Sequence, residues 1–195
     1  MISSRYFTPF LASTLLLMNS VNLSAEEQST YIKLDKQGKV LPSDATSWHC
    51  VKDKSTNLIW EVKASDKGLQ SMSNRYSWEK ISEDQNTPDN AKPACTKLTN
   101  CDVPSFIAAV SAEKLCGFSN WRLPDIHELN SIVKPMKTNS IDMNYFPNTQ
   151  SSIYISSSEG FDNDMLVHGV DFDMSYSDVF YKGGQYHVRL VQSAQ

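Results

Sequence analysis

Four cysteines, at positions 50, 95, 101 and 116, follow an N-terminal segment with the layout of an export signal, and this pairing constrains the chain more than any other feature. Arg5 is the one charge before an apolar stretch from Phe10 to Met18, and a small-residue segment then ends in Asn22-Leu23-Ser24-Ala25. That order of regions is a secretory signal with cleavage after Ala25. The stretch falls short of the roughly 20 apolar residues that cross a bilayer. No cysteine lies near the cut, so a lipid anchor is not expected. Export places the thiols in an oxidising compartment, where an even number of cysteines reads as disulfides. No C-x-x-C occurs, which removes a zinc ribbon and a thioredoxin-type redox centre. Four cysteines allow three pairings; the one expected is Cys95 with Cys101, closing a short loop, and Cys50 with Cys116, tying the first strands to the end of a helix.

The organisation then follows as a signal at 1–25, a polar N-terminal arm at 26–46 and one domain at 47–195. Within the arm Tyr31-Ile32-Lys33-Leu34 alternates and suggests an edge strand. Val51 to Asp53 and Leu58 to Val62 flank the turn-like Lys54-Ser55-Thr56-Asn57, which predicts a hairpin. The run 84–93 is polar and reads as a loop. Val103, Phe106, Ile107 and Val110 recur at helical spacing, with Asp102 as cap, Pro104 in the first turn and Gly117 past the end. Asp125 and Glu128 form a capping signature before Ile126, Leu129 and Val133, and Pro135 stops that second helix. Ile153 to Ile155 opens a strand, Val170, Phe172 and Met174 alternate with Asp171, Asp173 and Ser175, and Lys182-Gly183-Gly184-Gln185 predicts a hairpin between 179–181 and 186–191. Two main helices packed on an antiparallel sheet, an α+β domain, is the expected fold class.

Several function classes drop out. The chain carries 18 basic and 22 acidic residues, a balance opposite to the clustered Lys and Arg that nucleic-acid backbones demand. His127-Glu128 is followed at the fourth position by Ser131, so the zinc-protease H-E-x-x-H motif is absent, and His49, His168 and His187 have no ligand spacing. Ser156-Ser157-Ser158 is not a G-x-S-x-G elbow. No catalytic constellation emerges, and a non-enzymatic chain is expected.

The ordered segments Val51-x-Asp53, Thr56 to Val62, Leu115-Cys116-Gly117, Trp121 to Leu129, Tyr145-Phe146-Pro147-Asn148-Thr149, Tyr154 to Ser158 and Tyr186 to Val191 resemble the Lcl C-terminal domain family over residues 48–193. The resemblance implies an exported domain of the broad C-type-lectin-like grouping, which also holds sulfatase-modifying enzymes and many binding modules. The namesake domain is similar to an adhesin head that binds sulfated glycosaminoglycans. This sequence has Ile155 where the family usually has Trp, and Thr56-Asn57 where it has Thr-Gly. Asn tolerates the left-handed backbone, so the second departure is mild; the first removes either a core plug or a ligand-stacking ring.

Charge placement bears on the ligand. Between Lys137 and Lys182 there is no Lys or Arg, while Asp142, Glu159, Asp162, Asp164, Asp171, Asp173 and Asp178 give seven acids. Asp171 and Asp173 are expected on one strand face, with Asp162 and Asp164 in a nearby loop, a cluster of oxygen donors that fits Ca2+ or else is a solvated face. A sulfated polysaccharide would need a different face, such as one around Lys52, Lys54, Lys63 and Lys67. Of Trp60, Trp78, Tyr145, Tyr154, Phe161 and Tyr176, most are expected in the core and one or two as surface platforms. Arg122 reads as a structural cation paired with a carboxylate more readily than as a ligand contact. The expected activity is binding of a glycan or a protein partner, in the periplasm or at the cell surface. The alternative is an accessory subunit of an envelope assembly docked through 26–46. An enzyme of the sulfatase-modifying kind would need free thiols.

Overall fold

The hairpin expected at the first turn organises one sheet. The computed structural model describes residues 29–79, 94–134, 140–161 and 163–194; the segment read as an export signal, the polar run at 84–93, Pro135 and Asp162 lie outside the described residues. Strands β2 (Cys50–Asp53) and β3 (Leu58–Glu61) pair antiparallel, Cys50 opposite Glu61. Asp53 makes the turn: Oδ1 accepts from the Ser55 N–H (2.8 Å) and hydroxyl (2.6 Å), and Oδ2 from the Thr56 hydroxyl (2.8 Å). Asn57 supplies the left-handed residue at φ +56°, so it serves where the family carries Gly.

β1 (Tyr31–Leu34) adds to the outer side of β2, and β9 (Val191–Ser193) to that of β3, giving the order β1-β2-β3-β9. Residues 31–34 are thus the edge of the domain's own sheet. Lys33 fixes the segment further, donating to the carbonyls of Ser43 (2.9 Å) and Ala45 (2.8 Å) with its ammonium 3.8 Å above the Trp48 ring.

Helix α1 (Val103–Ala112) begins where expected: Asp102 Oδ1 accepts from the Ser105 N–H at 2.7 Å. It buries Val103, Phe106 and Val110, and Phe106 stacks on Tyr76 of β4 (Tyr76–Ser77), ring centroids 4.5 Å apart. The helix stops earlier than Gly117 implies, since Glu113 caps it and Lys114 turns left-handed at φ +51°. Gly117, at φ +80°, instead closes the single 3-10 turn Leu115–Gly117 around Cys116. Helix α2 (Ile126–Ser131) ends before Pro135, with Ile132 as its C-cap.

β5 (Ile153–Gly160), β6 (Asn163–Asp171) and β7 (Tyr176–Tyr181) form a second antiparallel sheet. Two expectations fail here. The alternation over 170–174 is not one strand: β6 ends at Asp171 and Phe172 to Ser175 make the hairpin turn. Gly183-Gly184 does turn the chain, the Gly184 N–H donating to Tyr181 (2.9 Å), but β7 and β8 (Gln185–Tyr186) do not pair with each other. β8 pairs with β4, Tyr186 opposite Tyr76, because that register places its neighbours in the core.

Two apolar clusters share these sheets. Ile59, Phe106, Tyr76, Ile155, Val167 and Leu190 belong to one; Trp60, Leu129, Phe146, Tyr154, Val170 and Val191 to the other. Successive residues of β3 and β5 go to opposite clusters, so both faces of these strands are covered, which is why Leu58 to Val62 shows no polar alternation. Both expected disulfides are present: Cys50–Cys116, with Cα atoms 6.4 Å apart, and Cys95–Cys101, 5.5 Å apart. The chain is a mixed helix-and-sheet fold whose strand pairs are antiparallel, parallel contact being confined to isolated bridges such as Tyr154–His187. No helix among the described residues is long and apolar enough to cross a membrane.

Candidate functional site

The β5–β6–β7 sheet is half covered. Cross-strand partners share a face, so Tyr154, Val170 and Ser177 stand together, followed on the same face by His168 with Val179 and Leu166 with Tyr181. α2 lies across this face. The Ile126 N–H donates to Ser158 Oγ of β5 (3.0 Å), and the Ser177 hydroxyl of β7 donates to Asn130 Oδ1 (2.6 Å). Leu129 and Ile132 pack with Tyr154 and Val170 beneath it. Beyond α2 no described residue covers the face: Tyr181 is 56% exposed, Val179 39%, and Phe161, edge-on to the His168 ring at 5.9 Å, is 96% exposed.

α2 is fixed at its start. Asp125 Oδ1 accepts from the Glu128 N–H (2.8 Å) and Glu128 Oε2 from the Asp125 N–H (2.9 Å), the reciprocal box foreseen from the sequence. Arg122 grips Glu128 through two bonds of 2.6 and 2.7 Å and also donates to the Leu123 carbonyl (3.1 Å). Its partner is a carboxylate of its own domain, as the structural reading expects. The hydrogen bonds from Arg122 hold the Glu128 carboxyl below its usual range, against the opposing effect of burial.

Under the two sheets lies a charged group that sequence reasoning missed. Glu61 and Arg189 are completely buried. Lys63 donates to Glu61 Oε1 (2.8 Å), the Leu190 N–H to Glu61 Oε2 (2.9 Å), and Arg189 to the Glu61 carbonyl (2.8 Å) and the Thr149 hydroxyl (2.6 Å). The guanidinium lies over Phe146 (5.2 Å) and Tyr154 (5.8 Å), and His187 stacks on Tyr154 at 5.3 Å. Lys63, buried to 3% exposure, therefore leaves the surface set of Lys52, Lys54 and Lys67. The available signal was a cation within Val188-Arg189-Leu190-Val191 and an anion within Leu58-Ile59-Trp60-Glu61-Val62, charges that an apolar strand tolerates only in partnership.

The other expected residues separate. Asp171 and Asp173 do not point from one strand: Asp173 is in the turn, and Asp171 Oδ1 accepts from its N–H at 2.8 Å, since the turn amides need an acceptor that the ladder does not supply. Asp164 is the second residue of β6, near the end of the strand remote from Asp171. Asp162 lies outside the described residues. Among the described residues no group of three or more His, Cys, Asp or Glu is placed to hold a metal ion. Trp60 and Tyr154 are core, Trp78 lies under Lys182 (5.0 Å), Tyr145 tilts against Tyr31, and Phe161 and Tyr176 are exposed. Ile155 is fully buried, so the position usually taken by Trp is a core plug.

Compared with known proteins, residues 49–192 match the family described as the Lcl C-terminal domain. No curated protein and no solved structure gives a significant match. With the family match spanning most of its length, the chain belongs to the Lcl C-terminal domain family.

Proposed function

We propose that the chain is an exported, non-enzymatic binding module of the periplasm or cell surface, built on a C-type-lectin-like scaffold, that takes up a glycan or a polypeptide partner. The carrying observation is the exposed set Phe161, Val179 and Tyr181, with half-buried His168 among them, beside α2. Large rings left in water on a rigid sheet are what a binding surface uses, and the two disulfides fit an oxidising compartment. Because residues 31–34 are already paired to β2, this reading is favoured over an accessory subunit docked through 26–46.

The test is a glycan array and a displayed peptide library, both probed with the purified protein with and without Ca2+. Binding to either supports a binding module. A protein that retains no glycan and no peptide under any condition has no such function.

A further inference from the structure

We propose that Cys95–Cys101 is a thiol–disulfide exchange site, opened and closed in the folded protein by a dithiol oxidoreductase while Cys50–Cys116 stays shut. The two disulfides lie in opposite surroundings. Cys50 and Cys116 are 0% and 1% exposed within one apolar cluster, and Gly38 abuts the Cys116 carbonyl. Cys95 and Cys101 are half-buried at the rim of that cluster, and Ala94, Lys97, Thr99 and Asn100 beside them are exposed. Exchange begins with a thiolate reaching a disulfide sulfur, so access separates the two bonds.

The accessible disulfide is also the one that the fold can open without unfolding. Its stems are held by bonds that do not involve sulfur. The Arg75 N–H donates to the Ala94 carbonyl (2.8 Å), the Thr96 N–H to Asn74 Oδ1 (3.1 Å), and the Thr96 hydroxyl to the Gly68 carbonyl (2.7 Å). On the other side the Ser77 N–H donates to the Cys101 carbonyl (3.0 Å), and Asp102 caps α1. Opening the bond therefore frees residues 97–100 and leaves β4 and α1 in place. Lys97 adds a driving force, since it sits at φ +71°, a left-handed conformation that an L side chain disfavours and a freed loop abandons. Cys50, by contrast, belongs to β2, and its bridge reaches a residue 66 positions away.

The same anchoring selects the class of partner. An external thiolate attacks one sulfur, the Cys95–Cys101 bond breaks, and a mixed disulfide forms as the other cysteine leaves as a thiolate. That thiolate is only six positions from the mixed disulfide, and both stems stay fixed, so it attacks back and expels a monothiol. A second thiol on the same reductant forestalls this return. It attacks the reductant's own sulfur in the mixed disulfide, expels the second protein thiolate and leaves as a disulfide. Two electrons and two protons pass from the dithiol to the protein, and the reverse sequence closes the bond.

The experiment exposes the folded protein, without denaturant, to dithiothreitol or to glutathione, quenches with a thiol-alkylating reagent and maps the labelled cysteines by mass. Initial rates are compared per mole of thiolate, so that the strength of the reductant does not enter. Cys95 and Cys101 should be labelled together at least about tenfold faster than Cys50 and Cys116, and dithiothreitol should open them at least about tenfold faster than glutathione. The partly reduced protein should unfold cooperatively, with a thermal midpoint lowered by no more than about 10 °C. Cys95→Ser/Cys101→Ser should fold with a similar midpoint and take up no label under the same conditions. Opening of both disulfides at similar rates, no opening short of unfolding, or glutathione as fast as dithiothreitol overturns the assignment.

Discussion

Arg189 donates to the main-chain carbonyl of Glu61 at 2.8 Å, both residues fully buried, and so ties the approach to β9 to the end of β3. The Glu61 carboxylate is the partner of buried Lys63. Removing one member of such a group leaves an uncompensated charge in the core, which costs about 3–5 kcal/mol. Glu61→Gln keeps the acceptor for the Leu190 N–H but strands Lys63, and its urea midpoint should fall accordingly. Glu61→Gln/Lys63→Met should recover part of the loss, as coupled neighbours do. A single variant within about 1 kcal/mol of the parent would contradict this account of the core.

His187 imposes a pH dependence. Burial first, then the positive charges of Lys63 and Arg75, push its pKa down to about 4, while a hydrogen bond to the Asn74 main chain opposes the shift. Arg189 and Tyr154 also bound this region. Between about 4 and the ordinary value near 6.5 the unfolded chain binds more protons than the native one. The stability is thus fully present above pH 6.5 and is lost as pH falls through about 4, by at most about 3 kcal/mol. Chemical denaturation across that interval should show the slope, and His187→Gln should flatten it. The depressed carboxyl of Glu128 acts in a lower window, below the ordinary carboxylate range, so the two contributions separate.

What sequence could reveal divides along local and distant causes. The Asp53 turn, the Asp102 cap and the Asp125–Glu128 box are satisfied within a few residues, and each is legible as a pattern. The disulfides followed from the even cysteine number and the expectation of export. The fate of Gly183-Gly184 was hidden because the turn is local but the partner of β8 is Tyr76, chosen by the core. Val170 to Ser175 imitated a strand by composition, while the Asp171 carboxylate was committed to turn amides. The exposed face of β6 and β7 was legible only in part: Phe161 could be named as an aromatic, but which half of the sheet α2 leaves open depends on Ser158 and Ser177.

Cys50–Cys116 closes a loop of 66 residues and Cys95–Cys101 one of 6, so loss of the first should cost about 4 kcal/mol and of the second about 2 on chain-entropy grounds. Cys50→Ala/Cys116→Ala is thus the more damaging pair. Its neighbourhood is also sterically locked. Gly38 sits at φ +83°, and a Cβ there would collide with the Cys116 carbonyl oxygen; a Cβ on Gly117 would lie 3.0 Å from the Gln37 carbonyl. Gly38→Ala should cost about 2 kcal/mol or more even with the disulfide intact, since strain and collision add. A neutral result in thermal unfolding would mean that the 35–38 turn does not abut Cys116.

Asp171 separates a turn-forming carboxylate from a calcium ligand. Its Oδ1 accepts from the Asp173 N–H at 2.8 Å and from the Met174 N–H at 3.4 Å, so the turn requires an oxygen acceptor at this position but no charge. Asn presents the same oxygen; Ala does not. Asp171→Ala should therefore lower stability by about 1 kcal/mol, the usual net contribution of such a bond, while Asp171→Asn should leave it within a few tenths. A calcium site would behave differently: added Ca2+ would raise the thermal midpoint of the parent through binding to the native state, and loss of the charge in Asp171→Asn would abolish that rise. The turn geometry predicts parent and Asp171→Asn curves that move together on adding Ca2+. A rise confined to the parent would return Asp171 to a metal site and overturn its assignment as a turn acceptor alone.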